Sequence, residues 1–140
     1  GRNQLNKYWS IGIENPSGGN TSNQIFAGIV YLDDGAVATS GNYRNGVDLN
    51  GNTIGHTINP KTGYPIQTNV LSVTVLSNSC MVADAWATAL LVMAYETGLK
   101  RVTENSDIKA IWILDKKDGS RYIAKSVGTK IDDSIYEIIG

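Results

Sequence analysis

The sequence has few residues that could form a cross-link or bind a soft metal. Its 140 residues include one cysteine, Cys80, and one histidine, His56. A disulfide within the chain and a cysteine-based zinc cluster are therefore excluded. Cys80 opens an apolar segment, where free cysteines are usually buried as small hydrophobes, so we expect it to be buried. A nucleophilic role would need a neighbouring base, which the sequence does not show.

Long apolar runs and clusters of basic residues are also absent. The 12 Lys and Arg residues balance 13 Asp and Glu residues, for a net charge of -1. This balance disfavours nucleic-acid binding, which normally requires a basic surface. No apolar segment approaches the ~18 residues of a membrane-spanning helix. A length of 140 residues fits one compact domain or a piece of one, so we expect residues 1–140 to be a single domain. The chain opens on Gly1 without a methionine, so we expect it to be a fragment of a longer protein.

The N-terminal half has the pattern of short strands separated by turns. Trp9, Ile11 and Ile13 alternate with polar or small residues, which predicts a half-buried strand. Ile25 to Leu32 is rich in strand-forming residues and ends at Asp33-Asp34-Gly35, which predicts a hairpin with a strand returning to Ser40. The polar segment from Gly41 to Gly55 predicts a second hairpin or an extended loop.

The C-terminal half combines strands with one long apolar helix. The β-branched run Val70 to Leu76 predicts a central strand, and Met81 to Tyr95 predicts a helix that is apolar nearly all round and hence buried. Gly98 is the predicted helix end. Further predicted elements are a short amphipathic stretch, two strands and an ambiguous tail (Leu99 to Glu104, Ile108 to Leu114, Arg121 to Ala124, Ile131 to Ile139). The fold class is α+β, a mostly antiparallel sheet packed against one main buried helix.

The segment His56-Thr57-Ile58-Asn59-Pro60-Lys61-Thr62-Gly63-Tyr64-Pro65 is the first candidate site. Its two prolines and its glycine predict a rigid turn. An imidazole titrates near neutral pH and could act as a general base. From composition alone, a structural histidine bonded to a backbone carbonyl is the commoner case, and both interpretations stay open.

The predicted helix carries the second candidate site. Asp84 and Thr88 lie four residues apart, so their oxygens should point to the same side. A carboxylate in a buried helix needs a partner, and a hard cation such as Mg²⁺ would be one. Alternatively, Asp84 caps a neighbouring backbone segment and Thr88 bonds the carbonyl four residues earlier.

Four segments, in order, resemble the ApbE family of FAD:protein FMN transferases. The turn is similar to the family pattern His-x-Ile-Asp-Pro-x-Thr-Gly-x-Pro, and residues 83–89 are similar to Ala-Asp-Ala-x-Ala-Thr-Ala. Residues 9–16 and 39–43 are similar to upstream segments. The resemblance runs from Trp9 to Leu99 and weakens beyond. It implies that residues 1–140 are the C-terminal portion of an ApbE-like flavin transferase, with a partial ApbE-like (T-fold-like) architecture.

The resemblance implies a transferase that uses FAD as substrate and Mg²⁺ as cofactor. Such an enzyme moves FMN to a threonine or serine hydroxyl of an acceptor protein, typically a respiratory electron-transfer subunit, and releases AMP. By this resemblance Asp84 and Thr88 are magnesium ligands, and His56 is catalytic or positions the flavin. Thr62, Gly63 and Tyr64 shape the flavin pocket, and Ser40 and Tyr43 lie near the nucleotide. The family also implies a lipid-anchored protein at the periplasmic side of the bacterial inner membrane.

The sequence departs from the family pattern in two ways. Asn59 stands where the family has Asp, so we expect any role of that carboxylate, as base or as structural anchor, to be absent. A glycine-rich loop of the family's N-terminal half, which contributes a metal ligand, has no counterpart here. We therefore expect the chain alone to be weakly active or inactive. A non-catalytic FAD-binding module and a structural domain without a ligand are the alternative interpretations.

Overall fold

The computed structural model describes residues 1–16, 26–43, 47–49, 52–54, 57–66, 68–116 and 118–140. Strands and helices follow one another along these residues as β1 (Trp9–Glu14), β2 (Phe26–Leu32), β3 (Ala36–Gly41), β4 (Val47–Leu49), β5 (Asn52–Ile54), β6 (Val70–Ser77), α1 (Cys80–Leu91), α2 (Tyr95–Thr103), β7 (Ile108–Asp115), β8 (Arg121–Lys125) and β9 (Glu137–Ile139). The α+β class predicted from the sequence is confirmed. None of the helices in these residues is long and apolar enough to cross a membrane.

A five-stranded sheet in the order β3-β6-β7-β8-β9 forms the centre of the molecule. All its pairings are antiparallel except β8 with β9, which is parallel. The β-branched run of β6 lies between β3 and β7, as predicted for a central strand. Its two neighbours therefore satisfy the backbone groups along both of its sides.

Both faces of this sheet are covered, and β7 accordingly contains a buried apolar run from Ala110 to Leu114. In β7, Ala110, Trp112 and Leu114 pack with α1 and α2 on one face. Ile111 and Ile113 pack on the other face with residues of β1 and β2, which form a separate two-stranded antiparallel sheet. Alternate side chains of a strand point to opposite faces, so one continuous apolar run supplies two cores.

The predicted hairpin between β2 and β3 is wrong in its pairing but right in its turn. Gly35 adopts φ +113, as the Asp-Gly prediction requires. However, β2 pairs with β1, whereas β3 pairs with β6, so the turn carries the chain from one sheet to the other. Turn chemistry fixes the local backbone but not the partner of each strand. The second hairpin is confirmed, because β4 and β5 pair antiparallel.

Helix α1 is half-exposed, which corrects two expectations. Its buried residues are Ala83, Ala87, Leu90 and Leu91, and it packs on β3 and β6. The opposite face is open to solvent: Met81 is 78% exposed, and Cys80 is exposed rather than buried. Exposing alanine costs little because it has little apolar area, so a helix rich in alanine can look buried by composition alone.

The helical segment is also divided differently from the prediction. Helix α1 ends at Leu91, and a second helix, α2, begins at Tyr95 and extends the predicted amphipathic stretch. Gly98 lies buried inside α2 rather than at a helix end. A Cβ there would stand 3.2 Å from Cδ2 of Leu90 and 3.7 Å from Cζ2 of Trp112. Gly98 therefore allows α2 to approach the core closely.

Candidate functional site

The turn at residues 57–66 is held by its own backbone hydrogen bonds. The amide of Asn59 donates to the Tyr64 carbonyl at 2.9 Å, and the Gly63 amide donates to the Asn59 carbonyl at 2.8 Å. The Ile66 amide closes the base of the turn by donating to the Thr57 carbonyl at 3.0 Å. Gly63 has φ +72, which suits glycine. The predicted rigid turn is confirmed.

Asn59 keeps an anchoring role, contrary to the expectation that this role is absent. Its side-chain oxygen accepts a hydrogen bond from the Lys61 amide at 2.9 Å. An Asp oxygen could accept the same bond, because this turn requires only a short side chain with an acceptor two residues before the amide. Replacement of the family's Asp by Asn59 therefore removes a charge but preserves the turn.

The turn borders an open groove of ≈ 630 Å³. Among the predicted flavin-pocket residues, Thr62 and Tyr64 line it, and the Tyr64 side chain is 74% exposed. The remaining lining residues are Asn59, Pro65, Ile66, Thr68, Asn69, Val92 and Ala94, so the lining is uncharged. Such a wall suits a neutral, planar ligand group better than a diphosphate, which needs cations or oriented amides. His56 lies outside the described residues.

Asp84 and Thr88 lie on the open face of α1, one turn apart. Both are exposed, so the premise that Asp84 is buried is wrong. Across the described part of the chain, the Asp84 carboxylate has no hydrogen bond or ion pair. The alternative that it caps a neighbouring segment is therefore excluded for the described residues, and its oxygens remain available to a ligand.

Ser40 joins this face from a distant part of the sequence. Its Oγ lies 3.1 Å from Oγ1 of Thr88, and the two residues are 48 positions apart. The contact forms because α1 packs across β3, the edge strand on which Ser40 stands. The structure thus brings together Ser40, Asp84 and Thr88. It also excludes the alternative in which Thr88 bonds only its own helix.

Tyr43 lies on the opposite face of β3 from Ser40. A Cβ on Gly41 would meet the Tyr43 ring at 2.6 Å, so the ring covers the face to which residue 41 points. Neighbouring residues of a strand point to opposite faces, which separates Tyr43 from Ser40. The Tyr43 hydroxyl donates to Oε2 of Glu14 at 3.0 Å, which ties the end of β3 to β1. Glu14 lies in one of the segments that resemble the family, but its contact with Tyr43 is tertiary, so the sequence did not single it out.

The open face of α1 offers two side-chain oxygens, those of Asp84 and Thr88, whose fit to a metal ion can be assessed from their chemistry. The described residues contain no group of three or more His, Cys, Asp and Glu side chains that could hold a metal ion. One carboxylate with one hydroxyl is nevertheless a donor set that suits Mg²⁺, which binds few protein oxygens and completes its shell with water and phosphate. The side chains of Asp84 and Thr88 therefore fit a magnesium site that other ligands would complete.

Solved structures of ApbE proteins are similar to this chain. Flavin transferase ApbE from Vibrio cholerae superposes with a TM-score of 0.69 at 38% identity, covering 91% of this chain and 38% of that one. The ApbE protein from Thermotoga maritima gives a TM-score of 0.70 at 30% identity, covering 90% and 38%. These similarities confirm the ApbE-like fold.

The sequence comparisons agree with the structures. The FAD:protein FMN transferase of Vibrio cholerae is 44% identical over 118 residues, 84% of this chain and 34% of that protein. The Haemophilus influenzae FAD:protein FMN transferase is 35% identical over 126 residues, 90% of this chain and 35% of that protein. The model of the ApbE family matches residues 1–112. The chain belongs to the ApbE family, and it spans about a third of the length of these relatives.

Proposed function

We propose that this chain provides the helix and the turn of a FAD:protein FMN transferase. The relatives that carry this name support the proposal. The observation that carries it is the open face of α1, where the Asp84 carboxylate, which has no partner among the described residues, and the Thr88 hydroxyl stand one helical turn apart. Flavin transfer to protein requires a group that neutralises a diphosphate, and this pair can help to hold the required cation.

The reaction is a substitution at phosphorus. A threonine or serine oxygen of the acceptor protein attacks the phosphorus of the FMN half of FAD. The bond between that phosphorus and the bridging oxygen breaks, AMP departs with the oxygen, and the hydroxyl proton passes to a base. Bound Mg²⁺ would neutralise the negative charge on the phosphate oxygens. Asp84 and Thr88 would hold it, Asp84 through its carboxylate and Thr88 through its hydroxyl oxygen.

The turn would position the flavin and the proton acceptor. The uncharged groove beside Thr62 and Tyr64 suits the flavin ring, which is planar and neutral. The exposed Tyr64 ring could stack on it. His56 directly precedes the turn and is the single imidazole of the sequence, so we assign it the role of proton acceptor or flavin-positioning residue.

Magnesium-dependent FAD binding tests this proposal without requiring turnover. The melting temperature of the chain is measured with FAD alone, Mg²⁺ alone and both together. A ligand present at a hundred times its dissociation constant stabilises the folded chain by about 2.7 kcal/mol, which raises the melting temperature measurably. Because Mg²⁺ would help to hold the FAD diphosphate, the increase in melting temperature with both together should exceed the sum of the separate increases. Asp84→Asn should abolish the magnesium-dependent part. Asp107→Asn, which removes an exposed carboxylate before β7, should leave it intact.

Product analysis then separates transfer from binding. Because the chain spans about a third of the length of its relatives, incubation of the chain alone with FAD, Mg²⁺ and an acceptor protein should give only a small yield of acceptor that stays fluorescent after denaturation, with a matching amount of free AMP. Efficient flavinylation by the chain alone would overturn the expectation of weak activity. A non-catalytic FAD-binding module is the second candidate, favoured by the groove beside Tyr64, whose uncharged lining in the described residues offers a place for the flavin but no carboxylate or imidazole base for transfer. It would retain intact FAD. A chain whose melting temperature ignores FAD under every condition would contradict both.

A further inference from the structure

The hydrogen bond between Ser40 and Thr88 has no evident purpose in the stability of the fold. The pair is exposed, so water could satisfy both hydroxyls equally well. The same strand contains a second hydroxyl pair, Thr39 with Thr74 at 2.8 Å, which differs because Thr74 is buried. A buried hydroxyl needs a protein partner, whereas the exposed pair calls for another explanation.

The position of Thr88 in a helix gives the Ser40 contact a specific consequence. A helical threonine can turn its hydroxyl back to the carbonyl four residues earlier, which here is the carbonyl of Asp84. In the structure, Oγ1 of Thr88 instead lies 3.1 Å from Ser40. The contact therefore favours the rotamer that keeps the Thr88 oxygen off its own helix.

The number of hydrogens and lone pairs on the two hydroxyls shows which of Ser40 and Thr88 should be the donor if Thr88 binds a metal. A threonine hydroxyl has one hydrogen and two lone pairs. If Thr88 donates to Ser40, both lone pairs of Thr88 stay available. If Ser40 donates, one lone pair is occupied. A cation beside Asp84 would favour the first arrangement, because it attracts lone pairs and repels the hydroxyl hydrogen.

We infer that Ser40 is a positioning residue, which accepts a hydrogen bond from the Thr88 hydroxyl and so presents the Thr88 oxygen to a divalent cation shared with Asp84. This inference rests on the proposed function, and in particular on the metal site of α1. It gives Ser40 a role different from the nucleotide contact implied by the family resemblance. Ser40 does not touch the cation but acts through Thr88.

The test measures metal binding rather than activity. The ¹⁵N-labelled chain is titrated with MnCl₂, whose paramagnetism broadens amide signals near the bound ion, and MgCl₂ is then added as competitor. Broadening centred on residues 84–88 is expected. Loss of an outer partner of a metal ligand typically weakens metal affinity by about 10- to 100-fold, and Ser40→Ala should show that loss with an unchanged melting temperature.

Two further variants distinguish positioning from structure. Ser40→Thr keeps a hydroxyl and should retain Mn²⁺ affinity close to that of the unmodified chain. Thr39→Val removes the other hydroxyl pair of β3 and strands the buried Thr74 hydroxyl. It should lower the melting temperature without changing Mn²⁺ affinity. These opposite responses in adjacent residues would support the inference.

The possible failures are distinguishable. If the unmodified chain is broadened at residues 84–88 and Ser40→Ala binds Mn²⁺ equally well, the positioning role is wrong while the metal site stands. If the unmodified chain shows no selective broadening at α1, the metal site itself is wrong, and the inference with it. A Ser40→Ala variant that loses both affinity and thermal stability would assign Ser40 a structural role instead.

Discussion

Substituting Gly41 by alanine should break a hydrogen bond to which residue 41 does not itself contribute. A Cβ at this position would lie 2.6 Å from Cε1 and 3.2 Å from Cδ1 of Tyr43. Carbon atoms in contact are normally about 3.5–4.0 Å apart, so the ring must move by about 1 Å. The bond from Tyr43 to Glu14 is already 3.0 Å long and would not survive such a displacement.

The size of the effect follows from two opposing contributions. A hydrogen bond to a charged group contributes about 1.5–3 kcal/mol, and the lower end applies here because Glu14 is half-exposed. Alanine restricts the unfolded chain more than glycine does, which stabilises the folded state by about 0.4–1 kcal/mol. Gly41→Ala should therefore lower the free energy of unfolding by about 1 kcal/mol, measured by urea denaturation.

A double-mutant cycle isolates the bond. In a Tyr43→Phe background the hydrogen bond is already lost, so only the restriction of the unfolded chain remains, and Gly41→Ala should be neutral or stabilising by up to about 1 kcal/mol. The control is Tyr122→Phe on β8, which is separated from β3 by β6 and β7. In that background the effects of the two substitutions should add within about 0.5 kcal/mol. Equal costs of Gly41→Ala in the Tyr43→Phe background and in the unmodified chain would refute the reasoning.

Three further predictions concern turns. Gly35→Ala should lower the free energy of unfolding by about 2–4 kcal/mol in urea denaturation. Its backbone has φ +113, which strains an alanine, and the new Cβ would lie 2.8 Å from the Ser77 carbonyl oxygen. The control Gly119→Ala, at φ +82 with nothing within 4 Å of the new Cβ, should show the cost of the backbone strain alone. Asn59→Asp should match the unmodified chain in urea, whereas Asn59→Ala should lose about 1 kcal/mol with the bond to the Lys61 amide; equal losses would contradict the anchoring role. The side-chain and backbone hydrogen bonds from Ser120 lower the pKa of Asp118, so the stabilisation that they provide is present above the ordinary aspartate pKa and is lost as pH falls through the lowered value. An NMR titration should show the Asp118 midpoint rising in Ser120→Ala, and an unmoved midpoint would count against this cause.

Local patterns predicted most elements of the fold, because alternation and β-branching depend on neighbouring residues. Strands β1, β6, β7 and β8 lie where their sequences predict them. The pairing of the strands was harder to predict from the sequence. The Asp-Gly turn at Gly35 was recognised correctly, yet β2 and β3 joined different sheets. Partner choice depends on which apolar faces meet, and a turn of a few residues carries no information about that.

The candidate site was predictable in its residue types and not in its contacts. The spacing of Asp84 and Thr88 placed both on one helical face, and the turn residues fixed the conformation around Asn59. The approach of Ser40 to Thr88 and of Glu14 to Tyr43 joins residues 48 and 29 positions apart. Such contacts arise from the packing of elements, and only the three-dimensional structure shows them.

Strand β7 supplies side chains to two separate cores, and its backbone amides are therefore shielded from solvent on both faces of the sheet. Opening the helical layer alone would still leave Ile111 and Ile113 covered, and detaching the small sheet would leave Trp112 enclosed. Deuterium should therefore enter this strand only when the whole domain unfolds. Residues 110–114 thus provide an internal gauge of global stability, against which local loosening elsewhere in the protein can be measured.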